Sequence, residues 1–354
     1  MNALKDRIAR LIRASGPITV AQYMTICLHD PEQGYYATRE PLGASGDFIT
    51  APEISQMFGE LIGLWCAQVW LDQGKSQPPQ MVELGPGRGT LMADALRALR
   101  TVPRFLSGCR VTMVEASQRL RRSQEESLRD ASVPIEWTSH FIAPPTPGPV
   151  FVLANEFFDA LPVRQFVKTE SGWHERQIGV NDDDDLTWLL APVAADEVIP
   201  ADRRSSPQDA VFERCEQAIA LVEEIARAVN ARGGGALVID YGYGSENPDQ
   251  TIQAVSAHKS VPLLEQPGNA DLSAHVDFRA LAQAAEQAGA SVFGPLEQGR
   301  FLRALGIEAR ADRLGRSQSV SAALNRLTHA AEMGTLFKAL AIVPRDAPLP
   351  PGFS

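Results

Sequence analysis

The stretch that most constrains this chain is residues 81–96, MVELGPGRGTLMADAL. Met81, Val82 and Leu84 suit a short buried strand, and the apolar positions from Leu91 onward suit a helix. Between them stand Gly85, Pro86, Gly87, Arg88 and Gly89. Glycine accepts backbone conformations closed to other residues and lets a ligand approach the main chain. A loop of this kind at the carboxyl end of a strand is where open α/β sheets bind ligands. The chain is therefore expected to be an α/β protein organised around a strand, a glycine loop and a helix.

The spacing of the loop narrows the ligand. A dinucleotide fingerprint reads G-x-G-x-x-G, with the pyrophosphate at the helix N-terminus. Here the order is G-x-G-x-G followed by Thr90, and the loop itself lacks the Gly-Lys-Ser/Thr of a P-loop. Glu83 stands two residues before the first glycine, where it repels pyrophosphate but suits an ammonium. A ligand with an amino-acid end, a sulfonium charge and a ribose is S-adenosyl-L-methionine. Glu115 follows the second strand, Arg110 to Val114, and a carboxylate there can accept hydrogen bonds from both ribose hydroxyls. Dinucleotide folds place an acid similarly, so the loop spacing separates the two cofactors and Glu115 does not.

Further strands are expected at 135–137, 150–153, 236–240 and 337–343, and helices at 89–100, 117–129, 208–231, 277–289 and 300–333. Strands alternating with helices imply a parallel sheet covered on both faces. Val163 to Val180 reads as a β-hairpin turning at Glu170-Ser171-Gly172, and 244–275 reads as irregular. The expected organisation is a helical cap and lid loop over 1–75 and a first core segment over 76–167. A hairpin insertion follows over 168–207 and a second core segment over 208–243. A further insertion covers 244–276, and the last core segment with a helical cap covers 277–354.

Residues 153–162, LANEFFDALP, pose an energetic question. The strand Val150 to Leu153 runs into Asn155, Glu156, Phe157, Phe158 and Asp159. Carboxylates beside apolar residues are costly unless paired. A guanidinium is planar and offers forked donors that match carboxylates. Glu156 and Asp159 are therefore candidate catalytic residues that hold a cation beside the cofactor. Asp159 also fits a turn role ahead of Pro162.

Composition excludes some classes. The chain has 33 Lys and Arg against 43 Asp and Glu, a net charge of −10. That balance argues against binding a nucleic-acid backbone, which needs a basic face. Cys27, Cys66, Cys109 and Cys215 are widely spaced and read as free thiols, so structural zinc is not expected. The acidic run 181–185 reads as a solvated turn, and no metal is expected. No run approaches the ~18 apolar residues of a membrane span. At the N-terminus, Leu4, Ile8, Leu11 and Ile12 share one helical face and Asp6 interrupts the basic run. This reads as a folded first helix rather than a transit peptide, and a cytoplasmic, bacterial-type protein is expected.

Three other motifs remain. In SGDFITAPE, residues 45–53, Gly46 permits a bend, Asp47 is a possible ammonium partner, and Thr50 and Pro52 suit a helix start. His29 and His275 are candidate bases or half-buried structural histidines. Trp65 and Trp70 fall at helical spacing and read as core.

Taken together, TVAQYMTICLHDPEQGYY (19–36), SGDFITAPEISQMFGELIG (45–63), VELGPGRGTL (82–91), ANEFFDALPVRQF (154–166), IDYGYG (239–244), ADLSAHVDF (270–278) and MGTLFKALA (333–341) resemble the MidA-like methyltransferases. The resemblance covers nearly the whole chain. It implies a Rossmann-like class I methyltransferase sheet with S-adenosyl-L-methionine as cofactor. Mitochondrial members of the family are complex I assembly factors that make symmetric dimethylarginine on a core subunit. By this resemblance Glu83, Gly85, Pro86, Gly87 and Gly89 form the cofactor loop, and Glu115 is the ribose acid. Asn155, Glu156 and Phe157 match the segment after the fourth strand. Gly46, Asp47, Phe48, Thr50, Pro52 and Glu53 match a loop that covers the cofactor. One departure is TIQAVSAHKSV, residues 251–261, where the family is expected to be richer in aromatics. The implied activity is protein arginine methylation, with a protein substrate presenting an arginine, such as a complex I subunit. The alternatives are methylation of a small molecule or another protein atom, or a noncatalytic assembly factor that keeps the fold. A nicotinamide oxidoreductase is disfavoured by the loop spacing.

Overall fold

A computed structural model describes residues 3–38, 49–74, 77–244, 248 and 250–354. The chain divides into two compact units. One comprises Met1–Phe48, Ala160–Ala218 and Glu246–His275, and the other Ile49–Asp159, Ile219–Ser245 and Val276–Ser354.

The second unit holds the large sheet. Its main strands in chain order are β1 (Gln80–Leu84), β2 (Arg110–Val114), β3 (Ile135–Thr138), β4 (Val150–Asn155), β5 (Gly234–Tyr243), β6 (Ser291–Glu297) and β7 (Phe337–Val343), and the short Val276–Asp277 pairs in parallel with the end of β5. They lie side by side in the order β6-β7-β5-β4-β1-β2-β3. β1 to β5 pair in parallel, and β7 runs antiparallel between β5 and β6. Val150 to Ala154 are all buried, as are Gln80 to Leu84. Central parallel strands are covered on both faces, so they read as continuous apolar runs rather than alternating ones. The arrangement is the Rossmann-like α/β fold that the alternating pattern implies, and β7 adds an antiparallel strand to it.

Strand order decides where chemistry can happen. From β3 through β5 the order is that of a doubly wound sheet, and the winding reverses between β1 and β4. Open α/β sheets bind ligands at such a reversal, beyond the carboxyl ends of the strands. β1 ends in the glycine loop, and β4 ends in Asn155 and the two acids. The topology therefore brings the two motifs together, though nearly seventy residues of chain separate Gly85 from Asn155. Trp65 and Trp70 lie in the core with Phe105 and Phe151, as helical spacing suggested.

In the first unit, Arg164–Thr169 and Gly172–Val180 form the expected antiparallel hairpin. The sheet is wider than the hairpin, with Ile18–Thr19, Val211–Arg214 and Leu186–Ala194 added. The helix Ala3–Ser15 buries Leu4, Ile8 and Ile12. Residues 253–273 are not irregular. Gln253–Ser256, Lys259–Val261 and Asp271–Ser273 make a three-stranded sheet. Strands this short carry no readable periodicity; burial of Ala254 and Leu272 stabilises them instead.

Candidate active site

The loop after β1 is shaped by its glycines. Gly85, Gly87 and Gly89 have φ of 57, 53 and 81°, in the left-handed region that disfavours any Cβ. At Gly85 a Cβ would also stand 2.7 Å from Cδ2 of Phe157. The main chain there is bare, and the Phe157 ring lies against it. Gln124, from the helix Gln118–Ser127, is fully buried. Its Nε2 donates to Gly87 O at 2.8 Å and to Glu115 Oε2 at 3.3 Å. Its Oε1 accepts from Trp137 Nε1 at 2.8 Å. One side chain thus ties the loop to the acid at the end of β2. Glu115 Oε1 accepts from Ser117 N at 2.7 Å, and burial raises the pKa of the carboxyl.

Glu83 is 3% exposed, and its Oε2 has no hydrogen-bond partner among the described residues. Burial pushes its pKa up to about 8, against a smaller opposing effect of the Met92 main chain. A buried acceptor without a donor calls for one. Asn155 Oδ1 is a second such acceptor, at the end of β4.

The segment after β4 is bent by a different device. Glu156 has φ 50° although it carries a side chain. Its amide donates to Ile239 O at 2.9 Å. Its Oε1 accepts from Ala51 N at 2.8 Å and from Asn155 Nδ2 at 3.1 Å. The amides of Phe157, Phe158 and Asp159 all donate to Asp240 Oδ2, at 3.1, 2.9 and 3.3 Å. Asp159 Oδ2 accepts from the Tyr241 hydroxyl at 2.6 Å. Burial pushes Glu156 up to about 7; the Ala51 amide opposes this and the charge of Asp159 adds to it. Asp240 is raised well above the usual carboxylate range by burial and by the charges of Asp159 and Glu156.

Three carboxylates therefore crowd one bend, where two were expected from the sequence. Asp240 and Tyr241 were passed over because they sit in IDYGYG, which reads as strand and turn. The available signal is an acid at the end of an apolar strand run, the same oddity that singles out Glu156. Gln124 was passed over too, since its helix looks like a charged surface helix.

The covering loop is placed in part. Gly46, Asp47 and Phe48 lie outside the described residues. Thr50 takes the N-cap position of the helix Ala51–Ile54 without a side-chain hydrogen bond, and Pro52 sits in the first turn. Glu156 serves the orphan Ala51 amide in its place. Glu53, from the same helix, accepts from the Thr90 hydroxyl and has Arg88 at 3.6 Å. In the first unit, His29 stacks on Tyr36 at 5.7 Å between ring centroids, and burial lowers its pKa. The His275 amide donates to Thr251 Oγ1 at 2.9 Å, and burial lowers the pKa of its ring as well.

Among the described residues no three His, Cys, Asp or Glu side chains form a metal-binding group, and no helix is long and apolar enough to cross a membrane. What remains is a bare glycine cradle, two unpartnered buried acceptors, and an acid held by Gln124. That set of acceptors fits S-adenosyl-L-methionine, which brings an ammonium, a positive sulfur and ribose hydroxyls.

Comparison with known proteins agrees. The family model described as "Putative S-adenosyl-L-methionine-dependent methyltransferase" matches residues 61–296. The chain is 37% identical to the mitochondrial protein arginine methyltransferase NDUFAF7 of Xenopus tropicalis, over 100% of this chain and 90% of the relative. It is 40% identical to the human protein of that name, over 84% of this chain and 72% of the relative. The structure is similar, at TM-score 0.87 and 28% identity, to the crystal structure of a COG1565 superfamily member and "likely methyl transferase" from Burkholderia thailandensis bound to S-adenosyl-homocysteine. The match covers 99% of this chain and 94% of that one. The relatives are mitochondrial proteins by name, which overturns the expectation of a cytoplasmic location. The reason is physical: a buried helix face such as Leu4, Ile8 and Ile12 reports packing and carries no information about compartment.

Proposed function

We propose that this chain, which belongs to the S-adenosyl-L-methionine-dependent methyltransferase family, methylates an arginine side chain of a protein substrate. The observation that carries the reading is the bend after β4. There Glu156 and Asp159 stand beside a third carboxylate, Asp240, at the sheet's switch point. Glu156 and Asp240 are raised by burial, with Asp159 beside them; a cation relieves such a cluster, and a guanidinium is the cation whose fork matches carboxylates. The names of the relatives support the same acceptor.

When bound, the cofactor supplies an electrophilic sulfonium methyl group. Glu83, the loop Gly85 to Gly89, Glu115 and Asn155 are the residues proposed to hold it, with Phe157 packed beside the loop. Gly46 and Asp47 are proposed to cover it. Glu156 and Asp159 then have three tasks. They fix the guanidinium in line with the methyl group, and positioning of that kind supplies much of a transfer rate. They draw positive charge toward the nitrogens they face, which leaves the remaining nitrogen more nucleophilic. The methylated nitrogen must lose a proton, and a carboxylate with a pKa of about 7 is matched to accept it near neutral pH.

Among substrates, a core subunit of complex I is the first candidate, on the strength of the motif resemblance. The test is incubation with methyl-labelled cofactor and purified complex I subunits, followed by mass spectrometry of the labelled residue. Methylarginine is the expected product. Label on another residue or on a small molecule would favour the wider methyltransferase reading. Proven cofactor binding with no transfer to any acceptor would count against catalysis altogether.

A further inference from the structure

We infer that Asp240 and Tyr241 are positioning residues for methyl transfer: the Asp240 side chain shapes the acceptor-holding bend by taking its amides, and Tyr241 orients the Asp159 carboxylate. The inference rests on the reading of Glu156 and Asp159 as the acids that hold the acceptor.

The argument starts from the ladder between β4 and β5. The strands are parallel, with Ile239 opposite Asn155. The last main-chain bond runs from Glu156 N to Ile239 O. Beyond it the chain after β4 turns away, and its next three amides would be left without partners. The Asp240 side chain takes all three through Oδ2. Its Oδ1 accepts from its own neighbour, Tyr241 N, at 2.9 Å. Asp240 is 0% exposed, so water does not compete for these bonds. Successive amides converging on one oxygen form a nest that favours negative charge, and here it opposes the upward push of burial on the carboxyl. The carboxylate thus extends the ladder and holds Glu156 in a backbone region that residues with a Cβ avoid.

Tyr241 acts on the side chain rather than the backbone. Its hydroxyl reaches Asp159 Oδ2, and its ring stands edge-on to Phe337 at 5.5 Å between centroids. Phe337 is buried at the start of β7, so the phenol is anchored at its ring end. Among the described residues, the charged groups shown to act on this bend include Glu156, Asp240, and Arg326 of the helix Gln318–Thr328, whose charge favours ionised Glu156. Lys338 lies opposite Asp240 on β7, but its ammonium donates to Thr335 O at 2.6 Å. A hydroxyl that donates to a carboxylate favours the ionised form. Removing that hydroxyl raises the pKa of Asp159. Because the acids interact, the whole acid limb of activity moves with it.

The test uses Tyr241→Phe and Asp240→Asn in the full-length chain. Asp159 is followed by carbon-13 carboxyl titration, and the amides of residues 157–159 by hydrogen exchange, both without any acceptor. Cofactor affinity is measured by calorimetry, and kcat/KM against pH with whichever acceptor is methylated. Tyr241→Phe is expected to move the Asp159 titration and the acid limb upward by about half a pH unit or more, with cofactor affinity unchanged within about threefold. Asp240→Asn is expected to speed exchange of the three amides about tenfold or more. An Asp159 titration that stays in place in Tyr241→Phe overturns the inference, as does unchanged exchange in an Asp240→Asn protein that binds cofactor. If Asp240→Asn does not fold, the titration in Tyr241→Phe decides alone. A product other than methylarginine would defeat the arginine reading and leave both of these measurements standing.

Discussion

The loops that leave β1 and β4 stand at the ends of neighbouring strands and make a similar bend by opposite means. The first uses three glycines at positive φ, and the second uses Glu156 at φ 50° with no glycine. A left-handed residue with a Cβ costs about 1–2 kcal/mol. The first loop avoids that cost and exposes bare main chain. The second accepts it and offsets it with hydrogen bonds from Glu156 N to Ile239 O and from three amides to Asp240. The difference teaches how to tell the two kinds of site apart. Where backbone must meet a ligand, side chains are removed. Where side chains must meet a substrate, they are kept and the backbone is held from behind.

The strongest way to break this comparison is Glu156→Gln. If the second loop exists to present its acid, the variant should lose about 100- to 1000-fold in transfer rate and keep cofactor affinity within about threefold. Single-turnover kinetics and calorimetry report the two separately, and normal turnover would sink the comparison. The mirror experiment is Gly85→Ala. A Cβ there meets positive φ and the Phe157 ring at 2.7 Å, so cofactor affinity should fall about 100-fold, near 3 kcal/mol. Adding Phe157→Ala should restore part of the loss, because only the steric share is relieved. Strict additivity in that cycle would show that the ring plays no part.

A third prediction concerns Glu83 and pH. Its folded pKa is raised from 4.5 to about 8. Between those values the folded state holds a proton that the unfolded chain has lost. Stability is therefore greatest below the unfolded pKa and falls as pH rises toward 8. Denaturant melts of cofactor-free protein should lose at least about 1–2 kcal/mol between pH 5 and pH 8, and Glu83→Gln should flatten the trend. An equal slope in wild type and variant would assign the effect elsewhere. The smallest effect is expected for Gln124→Leu. It leaves Gly87 O and the Trp137 indole without their buried partner, and cofactor affinity should drop about tenfold. Unchanged affinity would mean that the loop holds its shape through its glycines alone.

Much of the site was legible before any coordinates. The glycine loop, Glu83, Glu115, Glu156 and Asp159 stand out in a linear reading, by glycine spacing or by an acid at a strand end, whereas Asn155 enters only through the resemblance. Asp240 and Tyr241 did not stand out. Their partners, Phe157 and Asp159, are 83 and 82 residues away in the chain. Gln124 is likewise 37 residues from the Gly87 carbonyl it holds. Hydrogen bonds of that kind leave no trace in spacing or periodicity.

By itself, then, the sequence determined the local pieces. Apolar runs became buried parallel strands, and glycines became a bare loop, because backbone preference and burial act within a few residues. Tertiary structure alone decided the antiparallel insertion of β7 and the small sheet over 253–273. It also decided that the bend after β4 is built around an acid on β5. Those outcomes depend on which surfaces and unpaired amides meet after the strands are packed. No stretch of chain carries that information until the sheet has formed.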